Sequence, residues 1–202
     1  MQVNRLLFLC LISVLFSCQK ENMTPINYLS HIKSVDSGML KEKKLGGFVF
    51  HLQKEPIPYK FLIHHKQDNF SHMELEEYLK DMGGMQYYTL KIGVENSNEN
   101  ILMYQLQSEL DYQNRLGYFS FAFEQDIYLE ENGKILPCSL FHFERMYDLT
   151  PMRTFVLGFE QNPNNENEDK TIVIDSEFFG VGKVKLNIKG SDIAALPSVK
   201  FE

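Results

Sequence analysis

Tryptophan is absent from the 202 residues of this chain, and bases are outnumbered, with 20 Lys and Arg against 27 Asp and Glu. The missing indoles count against a surface built to stack sugar rings, although ten tyrosines leave that function open. A formal net charge of −7 repels phosphate backbones, so nucleic acid is not expected as a partner. Long hydrophobic runs are scarce too. The one from Leu6 to Phe16 is well short of the ~20 residues that a membrane-spanning helix needs. Catalytic signatures are also missing. There is no Gly-x-Ser-x-Gly elbow. The stretch Gly180-Val181-Gly182-Lys183 lacks both the later glycine of a dinucleotide fingerprint and the Gly-Lys-Ser/Thr ending of a phosphate loop. Its glycines read as a turn or bulge between strands.

The strongest positive signal is at the N-terminus. Met1 to Ser17 joins a short segment carrying Arg5 to the apolar run and closes on Leu15-Phe16-Ser17-Cys18. These flanks are those of a secretory signal. The Leu-Phe-Ser-Cys ending resembles the lipobox of bacterial lipoproteins. In that family a diacylglycerol is attached to the cysteine, here Cys18, and the preceding peptide is removed. The resemblance implies a signal peptide over residues 1–17 and a lipidated Cys18. The polar residues up to Pro25 read as a tether, 18–25, and with no Pro/Gly/Ser linker further on one domain is expected over 26–202. Arg5 is the only charge in residues 1–17, so the mature chain carries −8. Attachment to an anionic membrane must then come from acyl chains, at ~0.8 kcal/mol per buried CH₂. Gln19-Lys20-Glu21-Asn22 lacks the aspartate that holds many proteobacterial lipoproteins at the inner membrane, and Lys20-Glu21 resembles the export tags of Bacteroidota surface lipoproteins. The expected location is the outer membrane, on its periplasmic face or at the cell surface. With Cys10 removed and Cys18 alkylated, Cys138 stands alone and no intramolecular disulfide forms. Its apolar, strand-like setting predicts a buried, inert thiol.

Ile26, Leu29, Ile32, Val35 and Met39 recur at helical spacing before Gly46-Gly47, which predicts a helix or stalk over residues 26–44. Ser71-His72-Met73-Glu74 matches a capping box, with Leu75, Tyr78, Leu79 and Met82 sharing one helix face before Gly83-Gly84. The rest reads as strands: Phe48–Leu52, Tyr59–Ile63, Tyr87–Glu95, Ile101–Leu106, Gly117–Phe123, Leu140–Tyr147, Thr154–Phe159, Thr171–Ile174, Gly182–Ile188 and a last edge strand within 193–201. Phe119, Phe121 and Phe123 alternate with Ser120, Ala122 and Glu124, the period of a half-buried strand. Between Asp126–Glu130 and Ile135–Cys138, Asn132-Gly133 predicts a type I′ hairpin turn. Strands at roughly ten-residue intervals predict a mainly β chain. The expected fold is an antiparallel β-sandwich, Ig-like or transthyretin-like, with one or two short helices.

Few residues advertise chemistry. None of the six histidines (His31, His51, His64, His65, His72 and His142) falls in a zinc spacing, although His51 and His142 could share a site across the sheets. Asn162 to Asp169 is rich in oxygen ligands but lacks the glycine and spacing of a calcium loop, and reads as a solvated hairpin tip. Glu74 with Glu77 and Glu130 with Glu131 read as solvated acids. No cofactor, metal or catalytic residue is expected. Phe141 to Phe155 is the densest mixture of aromatics, charges and Met. It is either a corner locked by ion pairs or a partner-binding edge using Phe141, Phe143, Arg145, Tyr147 and Arg153. The expected role is non-enzymatic: a binding or envelope-assembly module at the outer membrane, such as an accessory subunit of a secretion apparatus. Its expected partners are the membrane, through Cys18, and an envelope protein. Glycan or nutrient capture is the alternative, and a hydrolase is the third reading.

Overall fold

A computed structural model describes residues 22–65, 71–144 and 150–200. The predicted signal peptide, Cys18, Arg145 and Tyr147 lie outside the described residues. The first half of the chain runs through β1 (Asn22–Met23), α1 (Pro25–Ile32), β2 (Leu40–Leu45), β3 (Phe48–Glu55), α2 (Ile57–His64), α3 (His72–Met82), β4 (Met85–Val94) and α4 (Glu109–Phe121). The second half contains β5 (Ile127–Glu131), β6 (Lys134–Pro137), β7 (Leu140–Glu144), β8 (Arg153–Glu160), β9 (Lys170–Ile174), β10 (Val184–Ile188), α5 (Gly190–Ala194) and β11 (Ser198–Val199). The fold is mainly β. An antiparallel sheet of order β2-β3-β4-β8-β7 packs on an antiparallel sheet of order β10-β9-β5-β6, forming a sandwich, and a short parallel pair joins β1 to β11.

The core follows from strand alternation. Phe50 and Leu52 on β3, Leu90 and Ile92 on β4, and Phe155 and Leu157 on β8 point inward from the larger sheet and are fully buried. From the smaller sheet, Leu129, Ile172 and Leu186 stand in register and meet them. Each such side chain contributes about 1.5–3 kcal/mol through burial. One end of the sandwich is filled by rings. Phe119 and Phe123 pack against Phe155 at 5.8 and 5.0 Å, and Phe179 packs against Phe48 and Phe50 at 5.1 Å. One long side is bridged by a Lys43 Nζ donation to the Lys185 carbonyl at 3.3 Å; on the other the chain passes from β6 to β7, where the Ser139 N–H donates to the Gly158 carbonyl at 2.8 Å.

Several elements differ from their sequence reading. The predicted 26–44 helix stops at Ile32, because Gly38 adopts φ +71° and turns the chain into β2. The expected tether is docked from Asn22 onward, where β1 pairs with β11. Tyr59–Ile63 lies in α2, whose first turn Pro58 favours by its fixed φ. Ile101–Leu106 is a series of turns held by Asn100, whose side chain accepts from the Leu102 N–H at 3.0 Å. Gly117–Phe123 is helical. Phe119 and Phe123 are four residues apart and share the core face, whereas Phe121 is 73% exposed. The 119/123 spacing fits either period and Phe121 fits the strand alone, but the Ser108 cap selects the helix by accepting from the Asp111 N–H at 3.1 Å. The stretch after Gly190 forms α5, and only Ser198–Val199 of the predicted last strand is β. There are thus five α-helices among the described residues, and none is long and apolar enough to cross a membrane. The β5–β6 hairpin has the predicted turn, with Asn132 at φ +47° and Gly133 at φ +72°.

Candidate functional site

At the end of the sandwich opposite the aromatic plug, the inward alternation ends in polar residues on four strands. Where the next apolar side chain would fall, β3 has Lys54, β4 has Gln86, β5 has Glu131 and β9 has Lys170. All four are buried, at 7%, 3%, 2% and 0% exposure, so they form an interior network and not a solvated rim. Glu131 and Lys170 are directly opposite in register and form an ion pair. Lys170 also donates to the Asn165 carbonyl, and the Asn165 side-chain amide donates to Glu131 Oε2 at 3.1 Å. Gln86 crosses between the sheets, donating from Nε2 to Glu131 Oε1 at 3.0 Å and to the Glu160 carbonyl at 3.2 Å. Its Oε1 accepts from the Tyr88 hydroxyl at 2.8 Å, and that hydroxyl oxygen accepts from Lys54 Nζ at 3.4 Å.

The network sets its own ionisation. Burial alone would raise the Glu131 carboxyl, but hydrogen bonds from Lys170, Gln86 and Asn165 outweigh it and hold it below the usual range. Burial raises the Tyr88 phenol well above its ordinary value, and Glu131 adds to the effect. Lys54 is different. Burial first, then repulsion from Lys170, pushes its ammonium down from 10.5 to about 7, against the pull of Glu131 and Glu166. Among the described residues Lys54 has one hydrogen bond and no ion pair; its ammonium also lies 4.7 Å from the Tyr88 ring centre.

A cavity of ≈ 490 Å³ opens onto Lys54 and Gln86. Its walls come from α1 through Tyr28, from α3 through Leu75 and Leu79, and from the C-terminal segment through Ile193 and Leu196, with the exposed Glu166 at its border. The helix α3 is placed by its capping box: Ser71 Oγ accepts from the Glu74 N–H at 3.3 Å, and Glu74 Oε2 accepts from the Ser71 N–H at 2.7 Å. The lining mixes these apolar side chains with polar ones, Gln161, Asn167 and Ser198 besides Lys54, Gln86 and Glu166, and at this volume it suits a small organic ligand. Glu55 also borders the cavity, but its carboxylate is taken up by Lys60 at 3.1 Å and Thr89 at 2.6 Å.

The sequence reading missed this network, since each member, read singly, resembles a polar strand end. The signal was present as one break at the same inward phase of four strands. Asn162–Asp169 is not wholly a solvated tip: Asn165 is buried and closes over Glu131 and Lys170. Among the proposed partner-binding residues, Phe143 and Arg153 are interior, and half-buried Phe141 faces inward beside Phe155. Phe143 and Arg153 are thereby turned into the interior, whereas part of Phe141 remains accessible. Burial lowers the affinity of Arg153 for its proton. His51 and His142 share the outer face of one sheet, three strand spacings apart, so they do not meet. His51 instead pairs with Glu42 at 3.2 Å. No group of three or more His, Cys, Asp or Glu among the described residues could hold a metal ion. Cys138 is half-buried where the sequence predicts a buried thiol; desolvation pushes its thiol up to about 11, which keeps it protonated at neutral pH.

No protein-family model and no curated protein matches the chain. A solved structure of a novel protein of unknown function from Burkholderia pseudomallei K96243 aligns with 87% of this chain and 94% of that one, at 15% identity and a TM-score of 0.40.

Proposed function

We propose that this chain is a lipid-anchored protein of the bacterial outer membrane whose sandwich captures a small ligand without transforming it. The observation that carries the reading is the ≈ 490 Å³ cavity, lined by both apolar and polar side chains and bordered by Lys54 and Gln86 of the buried network. A buried polar network lies between two sheets only if nearly every member is satisfied. Here all but Lys54 hold strong partners, so the network leaves one under-partnered amine bordering the cavity. The lipobox-like Leu15-Phe16-Ser17-Cys18 supports the anchor.

The test is to purify the protein from its own envelope, denature it and identify released small molecules by mass spectrometry. One species near equimolar ratio is expected, and Leu75→Trp, which fills the cavity, should remove it. Release of nothing, or equal release from the variant, would overturn the reading.

An assembly role is the second reading, and a different observation favours it. The strand β7 is at the free edge of the larger sheet, and Leu140 on it and Ile135 on β6 are 38% and 67% exposed. A partner strand could add to that edge through backbone hydrogen bonds. Cross-linking from Leu140 to a single envelope protein would support it. Its absence would leave capture alone.

A further inference from the structure

We propose that the cavity takes a small amphipathic monocarboxylate, with Lys54 receiving the carboxylate and Leu75, Leu79 and Leu196 holding the apolar body. The assignment rests on the capture reading above and names the ligand class for that site.

Charge balance carries it. Among the buried groups at this end, and apart from the Glu55–Lys60 pair, Lys54 and Lys170 face one carboxylate, Glu131, which is already bound by Lys170; Glu166 pulls on Lys54 from an exposed position, where water screens it. One positive charge is therefore uncompensated when Lys54 is protonated. An ammonium has three N–H donors, and among the described residues Lys54 uses one, in a long 3.4 Å bond to a hydroxyl whose own proton is committed to Gln86. A carboxylate on the cavity side supplies both the counter-charge and acceptors for the remaining donors. A charge-assisted pair of this kind, away from water, is among the stronger contacts a small ligand makes.

The same balance selects the ligand's charge. One excess cation matches a monoanion. A phosphate dianion would leave a net negative charge in a low-dielectric site that already contains Glu131 and is bordered by Glu166. Leu75, Leu79 and Leu196 give the ligand's apolar body a surface to cover, which a small hydrophilic acid would not use. Lys54 stands near its neutral point at physiological pH, so ligand binding draws a proton onto it. The titratable groups facing it are Tyr88, its register partner on β4, Glu131 on β5 and Lys170 on β9 across the sheets, and Glu166 in the loop.

The test uses the full-length protein in neutral detergent and isothermal titration with 3-phenylpropanoate and its uncharged counterpart, 3-phenylpropanol. At pH 6 the acid is expected to bind 1:1, with the alcohol at least ~10-fold weaker, since losing a paired charge removes about a decade or more of affinity. Acid affinity should fall at least ~10-fold between pH 7 and pH 9 as Lys54 loses its proton. Lys54→Met should lose acid binding at pH 6. Lys54→Arg, permanently charged, should retain it at pH 9, which a merely structural role for Lys54 would not produce. Equal binding of acid and alcohol, or unchanged acid binding by Lys54→Met, overturns the carboxylate assignment while leaving capture of a neutral ligand standing. If neither compound binds, the assignment falls, and capture is then judged on the molecule released from the native protein.

Discussion

Lys54 and Glu131 show how one buried position makes stability depend on pH. The folded state holds Lys54 near 7, whereas an unfolded lysine titrates near 10.5. Between those values the unfolded chain binds more protons, so this group makes stability rise with pH across that window. Below pH 7 its full penalty is present, and above about 10.5 it is gone. Lys54→Met is therefore expected to be more stable than the parent at pH 6, on the order of 4 kcal/mol, with the two converging near pH 10.5. Urea denaturation at pH 6, 8 and 10 checks this, and parallel curves would refute it. Glu131 behaves oppositely. Its folded carboxyl is held low, so its contribution is present at neutral pH and lost as pH falls through the acid range. Glu131→Gln leaves Lys170 buried without its ion-pair partner and should destabilise by about 3–5 kcal/mol at pH 7. The double variant Glu131→Leu/Lys170→Met should recover most of that loss, because buried pairs are close to neutral against apolar replacements. A double-mutant cycle measured by denaturation decides it.

At the scale of elements, local chemistry set some boundaries, and tertiary contact set others. The β5–β6 turn was readable because Asn-Gly is among the few pairs that accept two positive φ angles. A Cβ at Gly133 would meet nothing within 4 Å, so Gly133→Ala tests conformation alone. It should cost about 1 kcal/mol, seen as a shifted denaturation midpoint with an unchanged slope. The helix α3 was likewise legible from its capping box and one-sided apolar face. By contrast, Tyr59–Ile63 within α2 and Gly117–Phe123 at the end of α4 read as strands. Both runs are short and rich in aromatic residues, and such a run fits a strand or a helix equally well. What separated the alternatives was the cap at Ser108, together with the need to bury Phe119 and Phe123 but not Phe121.

For the molecule as a whole, the two ends of the sandwich are chemically different. One is packed with rings, and the other contains charge, amide and phenol beneath a cavity. Gln86 ties the sheets at the polar end as the rings do at the other. Anchoring at Cys18 would tether the domain close to the membrane, because β1 docks only four residues further on and shares the cavity end with the C-terminal segment. Cys18→Ala is expected to move the protein from the membrane fraction to the soluble fraction with its thermal midpoint unchanged. Retention at the membrane by the variant would refute a lipid anchor.

The sequence by itself determined the mainly β character, the antiparallel sandwich, the Asn132-Gly133 hairpin and α3. Each of these depends on period, turn chemistry or capping within a dozen residues. Only the tertiary structure decided that Lys54, Gln86, Glu131 and Lys170 form one site. They are spread over more than a hundred positions and come from four strands in two sheets. Taken singly, each is a polar residue at a strand end, which water would solvate. Strand register and sheet packing bring them together away from water, where their charges must satisfy one another and Lys54 remains without a carboxylate partner.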